Sequence, residues 1–160
     1  MDSSPAQPTP RIAVIVPAYG VAHVLHEALD SLQAQSFTDW EAIVIDDGAP
    51  DDAAAAVAPY LHDSRIRFLQ TDNGGVSTAR NRAIAASRAP LIALLDGDDL
   101  FRPDYLAAMV AAMEADPEAC IATCNARVFG AVARESEVVR AEQNRTATAS
   151  LTDLLSGSFN

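Results

Sequence analysis

The chain has 160 residues, of which 49% are apolar, so it is long and apolar enough to fold as one domain with a sizeable core. Its net charge of −11 excludes nucleic acid and anionic membrane surfaces as expected partners. All 11 basic residues are arginine, and this excludes mechanisms that need a lysine, such as a P-loop phosphate clamp or a Schiff base.

The first ten residues contain three prolines and neither a basic nor an apolar stretch. Residues 1–10 therefore predict a disordered lead-in rather than a signal peptide. No apolar run approaches the roughly 20 residues that a membrane-spanning helix needs. Cys120 and Cys124 are the only cysteines, and we expect both to be reduced. Together these features predict a cytoplasmic protein without a membrane span, peripheral at most at the inner face of the membrane in a full-length form.

Short apolar runs alternate along the chain with amphipathic segments. The run at 12–16 is continuous and β-branched, which is typical of a strand buried on both faces of a parallel sheet. The run at 65–69 alternates apolar and polar residues, so we expect it near a sheet edge. Either Asp51 or Asp52 could cap the helix after the second strand. The predicted elements are strands at 12–16, 40–45, 65–69, 90–95 and 119–129, and helices at 22–35, 52–57, 77–87, 103–115 and 150–155.

Strands that alternate with helices at this spacing predict an α/β fold, with a mostly parallel sheet and helices on both faces. Ligands bind such sheets beyond the carboxyl ends of the strands. A polar cluster follows each of three predicted strands, so we expect these clusters to converge at one rim of the sheet. The clusters are Pro17-Ala18-Tyr19, Asp46-Asp47-Gly48 and Asp96-Gly97-Asp98-Asp99.

The cluster Asp96-Gly97-Asp98-Asp99 carries the most chemical information, because it ends the apolar run at 90–95, which we expect to be a buried strand. Carboxylates this close together repel one another unless a cation lies between them. Mg²⁺ is usually held by one or two carboxylates and by the phosphates of its substrate. The cluster therefore predicts a metal site that handles a phosphorylated ligand.

The order of the motifs is informative as well: Val14-Ile15-Val16-Pro17-Ala18-Tyr19, Ile43-Val44-Ile45-Asp46-Asp47-Gly48, Asn73-Gly74-Gly75 through Ala79-Arg80-Asn81, Leu94-Leu95-Asp96-Gly97-Asp98-Asp99 and Pro103. Together they resemble the inverting family 2 glycosyltransferases. The resemblance implies the Rossmann-like GT-A fold, with a nucleotide-sugar-binding core at 11–130. It also implies that 131–160 is the incomplete start of the acceptor-side region, in a chain truncated at its C-terminus.

On the side of the nucleotide base, the resemblance assigns roles to two loops. Asp46 or Asp47 would accept a hydrogen bond from the base, usually uracil, because an ionised carboxylate is an acceptor only. Tyr19, in the loop that begins with Pro17 and Ala18, would stack on the base or flank it.

On the phosphate side, the resemblance assigns Arg80 to the nucleotide or its phosphates, as a permanent cation with forked donors. Asp96 would face the ribose and the metal, and Asp98 would ligate the metal directly. The metal would be Mg²⁺ or Mn²⁺, since oxygen ligands distinguish poorly between these ions.

The implied reaction transfers a sugar from a nucleotide-diphosphate donor, usually UDP-linked, to a hydroxyl of a carbohydrate or glycolipid acceptor. A carboxylate base would deprotonate that hydroxyl, which attacks with inversion. No residue matches this base, so we expect it beyond Asn160, and we expect this chain to bind nucleotide and metal but to transfer sugar poorly. Apolar segments at 128–139 and 151–155 predict self-association.

Two positions depart from the family pattern, which commonly has Asn where this chain has Gly20 and Ser-Thr where it has Ala49-Pro50. Two other functions remain as alternatives. One is a nucleotide-sugar-binding module without transferase activity of its own. The other is a sugar nucleotidyltransferase-like enzyme, although the glycine-rich Gly-Gly-x-Gly loop expected after its first strand is missing here.

Overall fold

A computed structural model describes residues 8–129 and 136–138 of the chain. Among the described residues, those up to Val110 form one compact unit and those from Ala111 onward form a second. The elements within the described residues are β1 (Ile12–Ala18), α1 (Leu25–Gln33), β2 (Trp40–Asp47), α2 (Ala53–Val57), β3 (Ile66–Thr71), α3 (Val76–Ala86), β4 (Leu91–Leu94), α4 (Tyr105–Ala115), β5 (Ala126–Val128) and β6 (Ser136–Val138).

The first unit is built on a parallel sheet in which the strand order is β3-β2-β1-β4. The central strands β1 and β2 are almost entirely buried, as their continuous apolar runs predict. Strand β3 lies at an edge and is mostly half-buried, which agrees with the alternating pattern at 65–69. Because all four strands run in the same direction, their carboxyl ends meet at one rim of the sheet.

Helices cover both faces of the sheet, as the sequence predicts. On one face, α1, α2 and α4 bury Leu29, Val57 and Leu106 against side chains of β1 and β2. On the other face, α3 packs Ala79 and Ala83 against the same two strands. Their small methyl side chains let this helix approach the sheet closely, which positions its first turns at the rim.

Strand β4 differs from the prediction of a buried strand. Ile92 and Leu94 are 38% and 49% exposed, whereas Ala93 between them is buried. Ile92 and Leu94 lie opposite Ala13 and Ile15 of β1, so they point to the face that α3 covers. That helix packs mainly over β1 and β2, which leaves Ile92 and Leu94 partly exposed on the same face of the sheet.

Two predicted boundaries are wrong for reasons of hydrogen bonding. Pro103 does not begin α4 but lies in the turn before it, where its carbonyl accepts a hydrogen bond from Ser36 N–H at 2.8 Å. The predicted strand at 119–129 is limited to Ala126–Val128, which pairs antiparallel with Ser136–Val138. Residues 119–125 are largely exposed and form no ladder with a described strand.

Several predictions concern residues outside the described part of the chain. These are most of the lead-in at 1–10, most of the acceptor-side region at 131–160, the helix at 150–155, most of the apolar segment at 128–139 and all of the one at 151–155. Within the described ranges, every helix is too short or too polar to cross a membrane.

Candidate functional site

A cleft of about 620 Å³ opens beyond the carboxyl ends of β1, β2 and β4. The three polar clusters contribute to its lining, so they converge at one rim as the sequence predicts. The first turns of α3 complete the wall. Six of the predicted site residues line the cleft: Pro17, Tyr19, Asp47, Arg80, Asp96 and Asp98.

The two carboxylates at the end of β2 have different surroundings. Asp46 is turned into the protein, where Oδ1 accepts a hydrogen bond from Ala49 N–H at 2.8 Å and Oδ2 accepts one from Gln70 at 3.1 Å. Asp47 lines the cleft, and its Oδ1 accepts a hydrogen bond from Gly74 N–H at 2.9 Å. Of these two predicted alternatives, only Asp47 borders the space in which a ligand could lie.

The loop after β1 carries an aromatic side chain to the mouth of the cleft. Tyr19 is 54% exposed, whereas the methyl group of its neighbour Ala18 is buried in the core. Ala18, also predicted at the site, could therefore reach a ligand only through its backbone. Gly20 follows with a φ of +72°, a conformation that glycine and asparagine adopt more easily than other residues. The replacement of the family's usual Asn by Gly20 therefore keeps a residue suited to this backbone.

Gly97 allows the acidic loop after β4 to pack against the loop after β1. A Cβ at this position would lie 2.8 Å from Cγ2 of Val21 and 3.2 Å from the carbonyl oxygen of Pro17. A side chain cannot enter this space without a shift of the loops. The glycine between the two carboxylates therefore sets the position of Asp96 and Asp98 on the cleft wall.

Arg80 of α3 reaches across the cleft wall to Asp96, with which it forms an ion pair through Nη2 and Oδ1. Its Nε is buried and has no hydrogen-bond partner among the described residues. Buried donors are rarely left without a partner. Arg80 itself lines the cleft, so an anionic ligand there would lie beside its guanidinium group.

Negative charge accumulates at the acidic loop. Burial, together with the charges of Asp98 and Asp96, raises the pKa of Asp99 above its usual value. Within the described residues, no three His, Cys, Asp or Glu side chains form a ready-made metal cage. Two carboxylates on a cleft wall nevertheless suit Mg²⁺ or Mn²⁺, whose remaining ligands can be phosphate oxygens and water.

Two further residues belong to this region, although neither was predicted to take part in the site. Asn73 lines the cleft, and its position shortly after the end of β3 is the signal that could have identified it. Asp51 accepts hydrogen bonds from the loop after β1, whereas Asp52 caps α2 through Ala55 N–H. The choice between Asp51 and Asp52 as the cap is thus resolved in favour of Asp52.

The fold corresponds to that of GT-A glycosyltransferases in solved structures. The S. aureus TarS 1–349 complex with UDP-GlcNAc matches with a TM-score of 0.62 and 28% identity over 66% of this chain and 31% of that one. The mannosyltransferase PcManGT from Pyrobaculum calidifontis, in complex with GDP-Man and Mn²⁺, matches with a TM-score of 0.63 and 29% identity over 68% of this chain and 33% of that one.

The sequence comparisons define the family. The profile described as Glycosyl transferase family 2 matches residues 13–156, and the chain belongs to this family. The chain is 42% identical to a Bacillus subtilis protein named uncharacterized glycosyltransferase EpsJ over an aligned stretch of 91 residues. This stretch covers 56% of this chain and 26% of that protein. The chain therefore spans about a quarter to a third of the length of these relatives. The resemblance and the predicted fold class are both confirmed.

Proposed function

We propose that this chain forms the donor-binding part of an inverting glycosyltransferase that uses a nucleotide-diphosphate sugar, with UDP as the nucleotide. The observation that carries the proposal is the convergence of Asp47, Arg80, Asp96 and Asp98 on one cleft at the carboxyl rim of the sheet. Ligands bind parallel α/β sheets at this rim. The TarS and PcManGT complexes, which contain UDP-GlcNAc and GDP-Man, support a nucleotide-sugar ligand.

Asp47 and Tyr19 form the base side of the proposed site. One carboxylate oxygen of Asp47 is used by Gly74 N–H, and the carboxylate retains capacity to accept a hydrogen bond from the imide N–H of uracil. The exposed ring of Tyr19 flanks the base. Pro17 shapes the same wall of the cleft.

Arg80, Asp96 and Asp98 form the phosphate side. The guanidinium group of Arg80, a permanent cation on the cleft wall, would donate to the ribose or the diphosphate. Asp96, held by Arg80, and the exposed Asp98 are the carboxylates that would hold Mg²⁺ or Mn²⁺. When bound, the cation offsets the charge that grows on the leaving nucleoside diphosphate. The Mn²⁺ in the PcManGT complex supports this choice of ion.

The acceptor half of the reaction is proposed to involve residues beyond Asn160. A carboxylate there would deprotonate a hydroxyl of a carbohydrate or glycolipid acceptor. This agrees with a chain that spans only a quarter to a third of its relatives. The free, exposed Cys120 and Cys124 suit a reducing compartment, which favours a cytoplasmic location.

The proposal is tested by calorimetric titration of UDP and GDP into the protein, each with and without Mn²⁺. We expect UDP to bind, to bind more tightly with Mn²⁺ and to bind more tightly than GDP. A nucleotide-sugar-binding module would give the same titrations but no transfer when the remaining part of the enzyme is supplied. Failure of both nucleotides to bind, in this chain and in a longer form of the protein, would overturn the proposal.

A further inference from the structure

We propose that Asp51 is a positioning residue for donor binding, because its carboxylate holds the loop that carries Tyr19 in the shape that lines the cleft. The inference rests on the proposed function of that cleft. Asp51 itself does not line the cleft, so it would act through the loop and not through a contact with the donor.

The geometry of the contact is that of a clamp with two separate bonds. Oδ1 of Asp51 accepts a hydrogen bond from Gly20 N–H at 3.0 Å, and Oδ2 accepts one from Ala22 N–H at 2.6 Å. The two donors flank Val21, which lines the cleft and packs against the acidic loop at Gly97. Tyr19 directly precedes the first donor. The carboxylate thus fixes the backbone on both sides of the segment that forms this wall.

The clamp joins two loops that are distant in sequence. Asp51 follows β2, whereas Gly20 and Ala22 follow β1, 31 and 29 residues earlier. The adjacent carboxylate, Asp52, caps α2. Helix capping therefore does not account for the presence of a carboxylate at position 51. Two cleft-lining residues lie close to these loops: Tyr19 is in the loop after β1, and Asp47 is the last residue of β2. A bond between the two loops fixes the two sides of the proposed base site relative to each other.

The chemistry of the clamp requires an ionised carboxylate. Backbone hydrogen bonds, of which the one from Ala22 is the strongest contributor, lower the pKa of Asp51 below its usual value. Asparagine has the same shape, but only its carbonyl oxygen can accept. Asp51→Asn therefore keeps at most one of the two bonds, which makes it a conservative test of the clamp.

The decisive experiment is a double-mutant cycle between Asp51→Asn and Tyr19→Ala, with the affinity for UDP in the presence of Mn²⁺ as the readout. We expect Asp51→Asn to weaken binding about tenfold in the wild-type background, the size expected for losing a hydrogen bond to a charged group. In the Tyr19→Ala background we expect less than about a twofold effect, because the clamp then has no ring to position. Asp52→Asn is the matched control, with the same change of charge one residue away, and should change the affinity by less than about twofold.

An equal, additive effect of Asp51→Asn in both backgrounds would overturn the proposal, since it would show that Asp51 does not act through Tyr19. An equal weakening by Asp52→Asn would overturn it as well, because the effect would then follow charge or helix stability. The proposal would also be overturned if neither Asp51→Asn nor Asp51→Ala changed the affinity for UDP.

A second measurement needs no nucleotide and separates this inference from the proposed function. Amide hydrogen exchange at Gly20 and Ala22 should become at least about tenfold faster in Asp51→Ala but not in Asp52→Ala. Unchanged exchange would overturn the clamp itself. If wild-type protein in its longer form bound no nucleotide, the proposed function and the role in donor binding would both be overturned, whereas the exchange rates would still show whether Asp51 holds the loop.

Discussion

The two ends of the parallel sheet use charged residues in opposite ways. At the amino end of β2, the buried Glu41 accepts a hydrogen bond from Arg88 N–H at 2.7 Å and lies 3.5 Å from the guanidinium groups of Arg67 and Arg88. At the carboxyl end, the exposed Asp98 makes no ion pair within the described residues, and Nε of Arg80 has no partner there.

We infer from this difference that the charges at the amino end stabilise the fold, whereas those at the carboxyl end are available to bind a ligand. Burying a carboxylate is costly unless it is paired and hydrogen-bonded, and Glu41 meets both conditions through its own protein. At the rim, by contrast, neighbouring carboxylates repel one another beside a cleft, and the buried Nε of Arg80 lacks a partner among the described residues. The comparison predicts that substitutions at the amino end change stability, whereas those at the carboxyl end change ligand binding.

The largest expected effect is on stability at the amino end. Glu41→Ala leaves the Arg88 N–H without its acceptor and removes the buried carboxylate that pairs with Arg67 and Arg88, and we expect it to lower the free energy of unfolding by about 3 kcal/mol. Urea unfolding measures this value. Asp98→Asn is the counterpart at the other end and should change stability by less than about 0.5 kcal/mol. Equal losses of stability in the two variants would contradict the comparison.

The next effect is on binding at the carboxyl end. Arg80→Met removes a cation that lines the cleft and the ion-pair partner of Asp96, and we expect the affinity for UDP with Mn²⁺ to fall by about 10- to 100-fold. The matched control on the same helix is Arg82→Met, whose guanidinium donates to the carbonyl of Asp72. Calorimetry of both variants would refute the assignment if Arg82→Met weakened binding as much as Arg80→Met.

A smaller effect is expected from the backbone of the loop that carries Tyr19. Gly20 has a φ of +72°, and a Cβ there would meet no atom within 4 Å. Gly20→Ala should therefore cost about 1 kcal/mol of stability through backbone strain alone, measured by thermal or urea unfolding. Gly20→Asn, which restores the residue common in the family, should cost clearly less. Equal costs for the two variants would show that the strain is not the cause.

The smallest effect concerns pH at the amino end. Hydrogen bonds from the Arg65 side chain lower the pKa of Asp63 in the folded protein, so the pair stabilises the fold above pH about 3.8. This stabilisation is lost as the pH falls from there through the lower folded pKa. We expect Asp63→Asn to cost about 0.5 kcal/mol at pH 7 and progressively less in acid. A cost that stays constant with pH would contradict this assignment.

The core of the fold and the position of the site were predictable because they depend on local pattern and on one rule of topology. Continuous β-branched runs identify β1 and β2 as central strands, and parallel strands bring Asp47, Asp96 and Asp98 to one rim. The boundaries that were wrong depend on contacts between distant residues. Pro103 lies in the turn before α4, where its carbonyl accepts a hydrogen bond from Ser36 N–H. The sequence around Pro103 does not reveal this bond, because its donor is 67 residues away.

The same limit explains what the sequence could not resolve within the site. The motif alone does not show which of Asp46 and Asp47 faces the ligand. In the structure, successive residues of β2 point to opposite faces of the sheet, and Gln70 donates a hydrogen bond to Asp46. Asp51 and Asp52 are likewise indistinguishable as caps until the loop after β1 is placed beside them. The exposure of Ile92 and Leu94 depends on which strands α3 covers, a property of packing and not of the strand's own sequence.

The central claim is that the carboxyl rim of the sheet binds a nucleotide through a metal held by its carboxylates. The most direct test is a calorimetric titration of UDP with Mn²⁺ into wild-type protein, Asp98→Asn and the control Asp104→Asn, an exposed carboxylate outside the cleft. We expect Asp98→Asn to abolish the Mn²⁺-dependent part of the binding, whereas Asp104→Asn should bind as the wild type does. Mn²⁺-dependent binding that survives in Asp98→Asn would contradict the claim.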